Sequence, residues 1–391
     1  MRGKNRTIWA ALCLTLCLLT GCAAAAPGRE SASPGAVSAQ TEERAPEPVG
    51  GLTLDYATQF TAEDYPDGST LVTIAGQERY LLVPRGAEPD PALSRDATVI
   101  PTPVENVYLA ASAAMDLFRA LDALDRVTMT STTPENWSIP EVRAAVERDD
   151  ILYVGKYSAP DYEVVLDGSC GLCVESTMIF HTPEVKEQLE RLGIPVLVER
   201  SSYEGHPLGR LEWVKLYGLL CGRRQEAEDY FRAQSEQFEA LSQSAPTGQR
   251  VAFFYLSPNG AVNVRKGSDY IARLIELAGG SYVFADLGAE EESAQSTVNL
   301  QMEAFYAAAR DADVLIYNAT VDGGVRSLDE LLGKSELLSQ FRAVEKGNVW
   351  CTEQNLFQQP TGVCALLEDL RAVLSGEAGA EESLRFLRRV T

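Results

Sequence analysis

The feature that most constrains the fold is an alternation of strands and helices that runs from about residue 97, breaks after residue 208 and resumes at residue 250. "ATVIPTP" reads as a strand, and "ENVYLAASAAMDLFRALDAL" as a helix with Val107, Leu109, Ala113, Leu117 and Leu121 near 3.6-residue spacing. "RVTMTS", "ILYVGK", "GLCVE" and "IPVLVE" are strands. Between them lie helical "IPEVRAAVE", "YEVVLD" and "TPEVKEQLERLG", the last opened by Thr182 and Pro183 and stopped by Gly193. "LGRLEWVKLYGLLC" is helical and apolar on more than one side. Past Gly222, residues 223–244 carry Ala227, Tyr230, Phe231, Gln234, Phe238 and Leu241 on one stripe, a helix spanning roughly 30 Å. The rhythm returns with strand "RVAFFYL", helices "SDYIARLIELAGG" and "MEAFYAAARDA", and strands "DVLIYNA" and "NVWCTE". "GVCALLEDLRAVLSG" and "EESLRFLRRV" are predicted terminal helices. Such alternation implies mainly parallel sheets covered on both faces. The fold class is α/β: one lobe at 51–222, a long helix at 223–244, and a second lobe at 245–391. Short alternating strands occupy residues 52–100 ahead of the rhythm.

The start of the chain points to export. Arg2, Lys4 and Arg6 precede an apolar run from Ile8 to Leu19, too short to span a bilayer and suited to a secretory leader. Leu19-Thr20-Gly21-Cys22 resembles the lipobox of bacterial lipoproteins. That resemblance implies a signal peptide at 1–21 and lipid attachment at Cys22, anchoring the protein on the extracytoplasmic face of the cell membrane. Residues 22–50 are rich in Ala, Pro, Ser, Gly and Glu and cannot bury enough apolar surface to offset ordering. They read as a flexible tether reaching on the order of 30 Å.

Charge and cysteines narrow the partners. The formal charge of −22 becomes −25 once Arg2, Lys4 and Arg6 leave with the leader, which argues against nucleic acid as partner. Cys170, Cys173, Cys221, Cys351 and Cys364 remain in the body, an odd number in a long chain and no disulfide scaffold. "CGLCVE" reads as a buried strand and not as the helix opening a redox dithiol requires, so structural thiols are expected.

The chain offers little for catalysis. It has two histidines, His181 and His206, in different segments, against the three His-rich ligands usual for zinc; no metal and no cofactor is expected. "DGSCG" lacks the first glycine of a nucleophile elbow, and no catalytic residue is assigned. Binding has more support, because aromatic, basic and amide residues recur where strands of open α/β sheets end. Trp137, Tyr157, Tyr203, His206 and Arg210 follow strands of the first lobe; Asn263, Arg265 and Phe357 follow strands of the second. These eight are the candidate ligand-binding residues. In "ERSSYEGHPLGRLEWVKLYG" a guanidinium such as Arg210 can grip a carboxylate bidentately, and Trp213 is open to either a cleft or a core role.

The order of elements and several short motifs then resemble a family: "ATVIPTPVENVYLAASAAMDLFRALDALDRV", "EVVLDGSCGLCVE", "GSDYIARLIELAGG" and "MEAFYAAARDADVLIYN". Over residues 95–375 the chain resembles the solute-binding proteins of ABC importers for iron-siderophore complexes, haem and vitamin B12. The resemblance implies two Rossmann-like lobes joined by a single rigid helix, with the ligand cleft between them. It implies as partners an ABC permease with its ATPase and an iron-chelate, haem or corrinoid ligand, with the protein a monomer and not an enzyme. It also implies permease docking through one glutamate at the tip of each lobe, here Glu163 and Glu303. The "HPLGRLEW" stretch departs from the better-known members, so Arg210 and His206 rest on topology alone. Two rivals follow from the same residues: an anchored extracytoplasmic hydrolase, and a ligand sensor of the same fold.

Overall fold

The computed structural model describes residues 45–243, 245–288, 296–376 and 380–391. The leader, Cys22 and nearly all of the tether lie outside the described residues. The chain divides into Met1–Glu43 and a compact unit, Arg44–Thr391, to which everything below refers.

That unit opens with a five-stranded sheet: β1 (Gly50–Gly51), β2 (Phe60–Asp64), β3 (Thr70–Ile74), β4 (Glu78–Pro84) and β5 (Thr98–Thr102), with the short α1 (Pro91–Ser94) before β5. The first four run antiparallel and β5 lies parallel to β4. The strand "ATVIPTP", expected to start the first lobe, therefore completes this separate sheet, because its hydrogen-bonding edge is taken by Tyr80–Pro84.

The first lobe is built on β6 (Val107–Leu109), β7 (Val127–Thr130), β8 (Leu152–Tyr153), β11 (Leu172–Ser176) and β12 (Val196–Glu199); the hairpin β9 (Gly155–Lys156)/β10 (Ala159–Pro160) stands apart. Its order β12-β11-β6-β7-β8 is parallel throughout. Helices α2 (Ala114–Ala120), α3 (Pro140–Glu147), α4 (Tyr162–Asp167) and α5 (Pro183–Arg191) make the crossovers. One expectation fails here: Val107–Leu109, read as the first turn of a helix, is a strand. All three residues are fully buried between β11 and β7, where a β-branched and an aromatic residue pack well.

Three helices follow: α6 (Pro207–Glu212) and α7 (Val214–Cys221) over the stretch read as helical before Gly222, and α8 (Arg224–Ser242) over the stretch read as the long helix. Gly222 ends α7 in the left-handed region at φ 69°, which a residue with a Cβ enters at a cost. Helix α8 buries Ala227, Phe231 and Phe238 and leaves its charged back outward. Its packing partners are α7 and α13 (Val363–Ser375).

The second lobe is a mixed sheet. β13 (Arg250–Leu256), β17 (Val314–Tyr317) and β18 (Val349–Thr352) are parallel at its centre. β14 (Val262–Arg265), β16 (Thr297–Leu300) and β19 (Leu387–Arg389) are antiparallel additions, and β15 (Ser281–Tyr282) pairs with the start of β13. α9 (Tyr270–Leu277), α10 (Met302–Ala309), α11 (Leu328–Lys334) and α12 (Arg342–Glu345) cover it with α13. The predicted terminal helix "EESLRFLRRV" contains β19. Buried Asp369 on α13 collects the backbone N–H groups of Arg385, Phe386 and Leu387 at 2.8, 2.6 and 3.3 Å, so the segment is held extended against β18.

Candidate functional site

The two sheets bring the carboxyl ends of their parallel strands to a common interface, the usual crevice of open α/β sheets. From the first lobe, the segments after β7 (Asn136, Ser138) and β12 (Arg210) meet the segment after β18 (Phe357, Gln358) and Tyr270, which follows the antiparallel β14, in the second.

Arg210, one turn into α6, is 4% exposed and reaches across that interface. Its Nη1 donates to the Tyr270 hydroxyl at 2.6 Å and its Nη2 to the Phe357 carbonyl at 2.7 Å. The guanidinium carbon stands 4.9 Å from the Tyr270 ring centre and 5.9 Å from that of Phe357. Arg265, at the end of β14, lies 4.8 Å over the same Phe357 ring and donates to Ser296 Oγ at 3.2 Å. Asp269 caps α9 through the Ile271 N–H and sits 3.5 Å from Arg265. Burial pushes the Asp269 carboxyl up, with the two arginines opposing. Arg210, Arg265 and Phe357, three of the eight candidates, are thus assembled around Tyr270. Both terminal nitrogens of Arg210 are engaged within the protein, which makes it a clasp between lobes in this arrangement.

The other candidates divide. Tyr203 follows β12, shares a 3.0 Å hydrogen bond with the Thr177 hydroxyl and lies under Arg200 at 4.9 Å. Met178 and Phe180, in the turn after β11, are each 48% exposed on that lobe. Buried Glu199 ends β12, its carboxyl raised by burial and its Oε1 accepting the Ser201 N–H. Asn263 pairs with Asn299 at 2.9 Å across β14 and β16. Tyr157 is half-buried in the turn between β9 and β10.

Two candidates turn inward. Trp137 is fully buried, its indole N–H on the Thr132 carbonyl, and packs the core with no ring face open. His206 caps α6, accepting the Leu208 N–H at Nδ1, and stacks on Tyr56 at 4.6 Å; burial lowers its pKa, with Arg273 adding to the shift. It is held as a helix cap. Trp213, left open between cleft and core, is core: it is fully buried, and its N–H is taken by Glu204.

Two acids in this stretch escaped the sequence reading. Glu204 accepts from Thr58 and Gln59, and Glu212 from the backbone of Asp55, Tyr56 and Ala57 and from Lys215 at 2.6 Å. Together they fasten residues 55–59 to α6 and α7. No local sequence pattern signals such partners about 150 residues away.

A second feature of the interface was also missed. Gln358 crosses between lobes, accepting from the Ser138 N–H and hydroxyl and donating to the Asn136 carbonyl at 2.8 Å. Asp116 on α2 accepts the N–H and hydroxyl of Thr361. Beside the Gln358 crossing opens a cavity of about 680 Å³, walled by Ser138 and Arg143 from one lobe and by Arg326, Glu353, Asn355 and Arg388 among others from the second. None of the eight candidates lines it.

Glu163 and Glu303 occupy equivalent places. Each is exposed in the first turn of a short helix, α4 or α10, that leads into a strand of its lobe, β11 or β17. Among the described residues no group of His, Cys, Asp and Glu is arranged to hold a metal, and no helix is long and apolar enough to cross a membrane. The five cysteines of the body are free thiols.

Two α/β lobes meeting at strand ends, with a cavity and an aromatic-arginine cluster at the junction, define a two-lobed ligand-binding protein. Residues 108–356 match the family model described as periplasmic binding protein, and the chain belongs to that family. In sequence it is similar to an uncharacterized lipoprotein of Methanocaldococcus jannaschii, 24% identical over 230 residues, which is 57% of this chain and 52% of the relative. The chain thus spans about half the length of that curated relative. In fold it is similar to a periplasmic binding protein from Veillonella parvula (TM-score 0.56, 16% identity, 82% of this chain and 98% of that one). It is also similar to an ABC-type Fe3+-hydroxamate transport system protein from Saccharomonospora viridis (0.55, 21%, 70% and 94%). A third likeness is to a periplasmic heme binding protein of Vibrio cholerae (0.52, 19%, 67% and 98%). These likenesses establish the fold.

Proposed function

We propose that the protein is an extracytoplasmic, lipid-anchored solute-binding protein that delivers an iron chelate, haem or a corrinoid to an ABC importer. The observation that carries the reading is the junction itself. Membership of the periplasmic binding protein family coincides with a junction that both lobes build: Arg210 meets Tyr270 and Phe357 across it, and elsewhere along it an open cavity is walled by Ser138 and Arg143 from one lobe and Arg326 and Arg388 from the other. The named solved relatives include proteins for hydroxamate-iron transport and heme binding, which supports the ligand class. Tyr203, Arg265 and Phe357 are the candidates best disposed to meet a ligand, with Arg210 holding the lobes in register. Glu163 and Glu303 are assigned to permease docking, each projecting from its own lobe. The lipid anchor rests on the Leu19–Cys22 sequence and accords with the lipoprotein relative.

The test is a fluorescence titration of the full chain with ferric hydroxamates, ferric catecholates, haemin and cobalamin, read from Trp137, Trp213 and Trp350. Saturable quenching at micromolar Kd or below by one member supports the reading, with calorimetry excluding inner-filter artefacts. Silence across the whole panel counts against it.

A further inference from the structure

We infer that the cavity beside Gln358 seats carboxylate groups of the ligand, so that the chelate this protein carries is a polycarboxylate anion. The inference rests on the reading of the chain as a chelate-binding protein and narrows its ligand class.

Four guanidinium groups converge on the cavity: Arg143 from the first lobe and Arg326, Arg385 and Arg388 from the second. Against them stands one carboxylate in the wall, Glu353, which is paired with Arg388 at 2.9 Å. Arg385 is paired in turn with Glu368, so two guanidinium charges, those of Arg143 and Arg326, are left without a carboxylate pair among the described residues. In a chain of formal charge −22, this local excess opposes the overall balance.

The arginines are held to differing degrees. Arg143 is fixed by Nε and Nη2 on the Trp137 carbonyl, which leaves its Nη1 as the remaining terminal donor. Arg388 is braced by the Thr352 and Val325 carbonyls, and Arg385 pairs with Glu368 outside the cavity. Arg326 engages Glu330 through its backbone N–H, and its side chain is exposed. Asn355 adds a buried Oδ1 without a protein partner, an acceptor for a ligand hydroxyl or a water.

The volume, about 680 Å³, lies within the roughly 300–1,000 Å³ of small-molecule sites. Guanidinium groups from both lobes, with the Gln358 crossing alongside, allow a ligand with several carboxylates to bridge the lobes. Planar forked donors match carboxylates better than they match neutral oxygen ligands. A neutral hydroxamate chelate would leave the charge excess unmet.

The test is calorimetry on the full chain with ferric citrate, neutral ferrichrome, cationic ferrioxamine B, metal-free citrate and inorganic phosphate. The variants are Arg326→Gln and the double change Arg143→Gln with Arg326→Gln. Both arginines are exposed, and matching thermal unfolding confirms that the variants fold. Ferric citrate is expected to bind, to weaken at least about tenfold in the double variant, and to weaken again as added salt screens the site. Preferred binding of ferrichrome or ferrioxamine B, unaffected by the variants, overturns the inference and leaves the chelate-binding reading standing. Arginine-dependent binding of metal-free citrate, with no chelate bound, upholds the anion seat and removes the iron reading. Phosphate outcompeting citrate overturns the carboxylate assignment. No binding by any probe overturns the inference, and a panel of haemin and cobalamin then decides the wider reading.

Discussion

Arg210 and Tyr270 lie 60 residues apart in the chain and are joined by a 2.6 Å hydrogen bond from guanidinium to phenol, with the charge over the ring. The bond links α6, which follows the last strand of the first lobe, to the first residue of α9 in the second. Tyr270→Phe keeps the ring and removes the acceptor, leaving a buried donor unmet. It should cost about 1–3 kcal/mol in urea unfolding. Arg210→Ala should cost more than Tyr270→Phe, because it removes both cross-lobe hydrogen bonds together with one of the positive charges that oppose burial at Asp269 and Glu199. A Tyr270→Phe protein as stable as wild type would show that the clasp carries no weight.

Glu175 makes stability depend on pH. It is fully buried at the end of β11; one oxygen accepts the Cys173 thiol and the other has no partner in the protein. Burial raises its carboxyl from the ordinary 4.5 to about 8, with the Cys173 hydrogen bond opposing. Between those values the folded state keeps a proton that the unfolded chain has released. The stability it contributes is full below about pH 4.5 and is lost as pH rises through about 8. Glu175→Gln should match wild type near pH 5 and exceed it at about pH 9 by on the order of 2–5 kcal/mol. Other buried acids are common to both proteins and cancel in the difference. Parallel stability curves for the two would contradict the burial argument.

Docking through the lobe tips separates binding from transport. Glu163→Arg and Glu303→Arg change exposed positions, so ligand affinity and thermal unfolding should stay at wild-type values. Uptake by cells should fall at least about tenfold in each and further in the double variant, as expected when like charges face an interface. Wild-type uptake by the double variant would favour a sensor without a permease.

Much of the fold was legible, because parallel strands buried on both faces read as apolar runs and their helices carry caps and stops. Pro183 and Gly193 bracket α5 as expected, and the Gly222 break before α8 is where the chain turns. The errors share a cause. Val107–Leu109 and Leu387–Arg389 are too short to declare their periodicity, and each is fixed by partners distant in sequence: β7 and β11 for one, Asp369 and β18 for the other. The site divides in the same way. Phe357 follows β18 as expected, whereas Arg265 is the last residue of β14, a strand within the segment read as following β13; the two side chains meet. The cavity arginines were missed because Arg385 and Arg388 fell in a segment read as helix, while Arg143 and Arg326 are indistinguishable from solvated charges until the lobes bring them together.

The central claim is that one ligand is held by both lobes at their junction. It is tested most directly by hydrogen exchange on the full chain, with and without a saturating chelate found by titration. The account predicts simultaneous protection of residues 136–143 and 200–210 in the first lobe and of 323–326, 353–358 and 385–388 in the second. Protection confined to one lobe, or falling outside these segments, would contradict it.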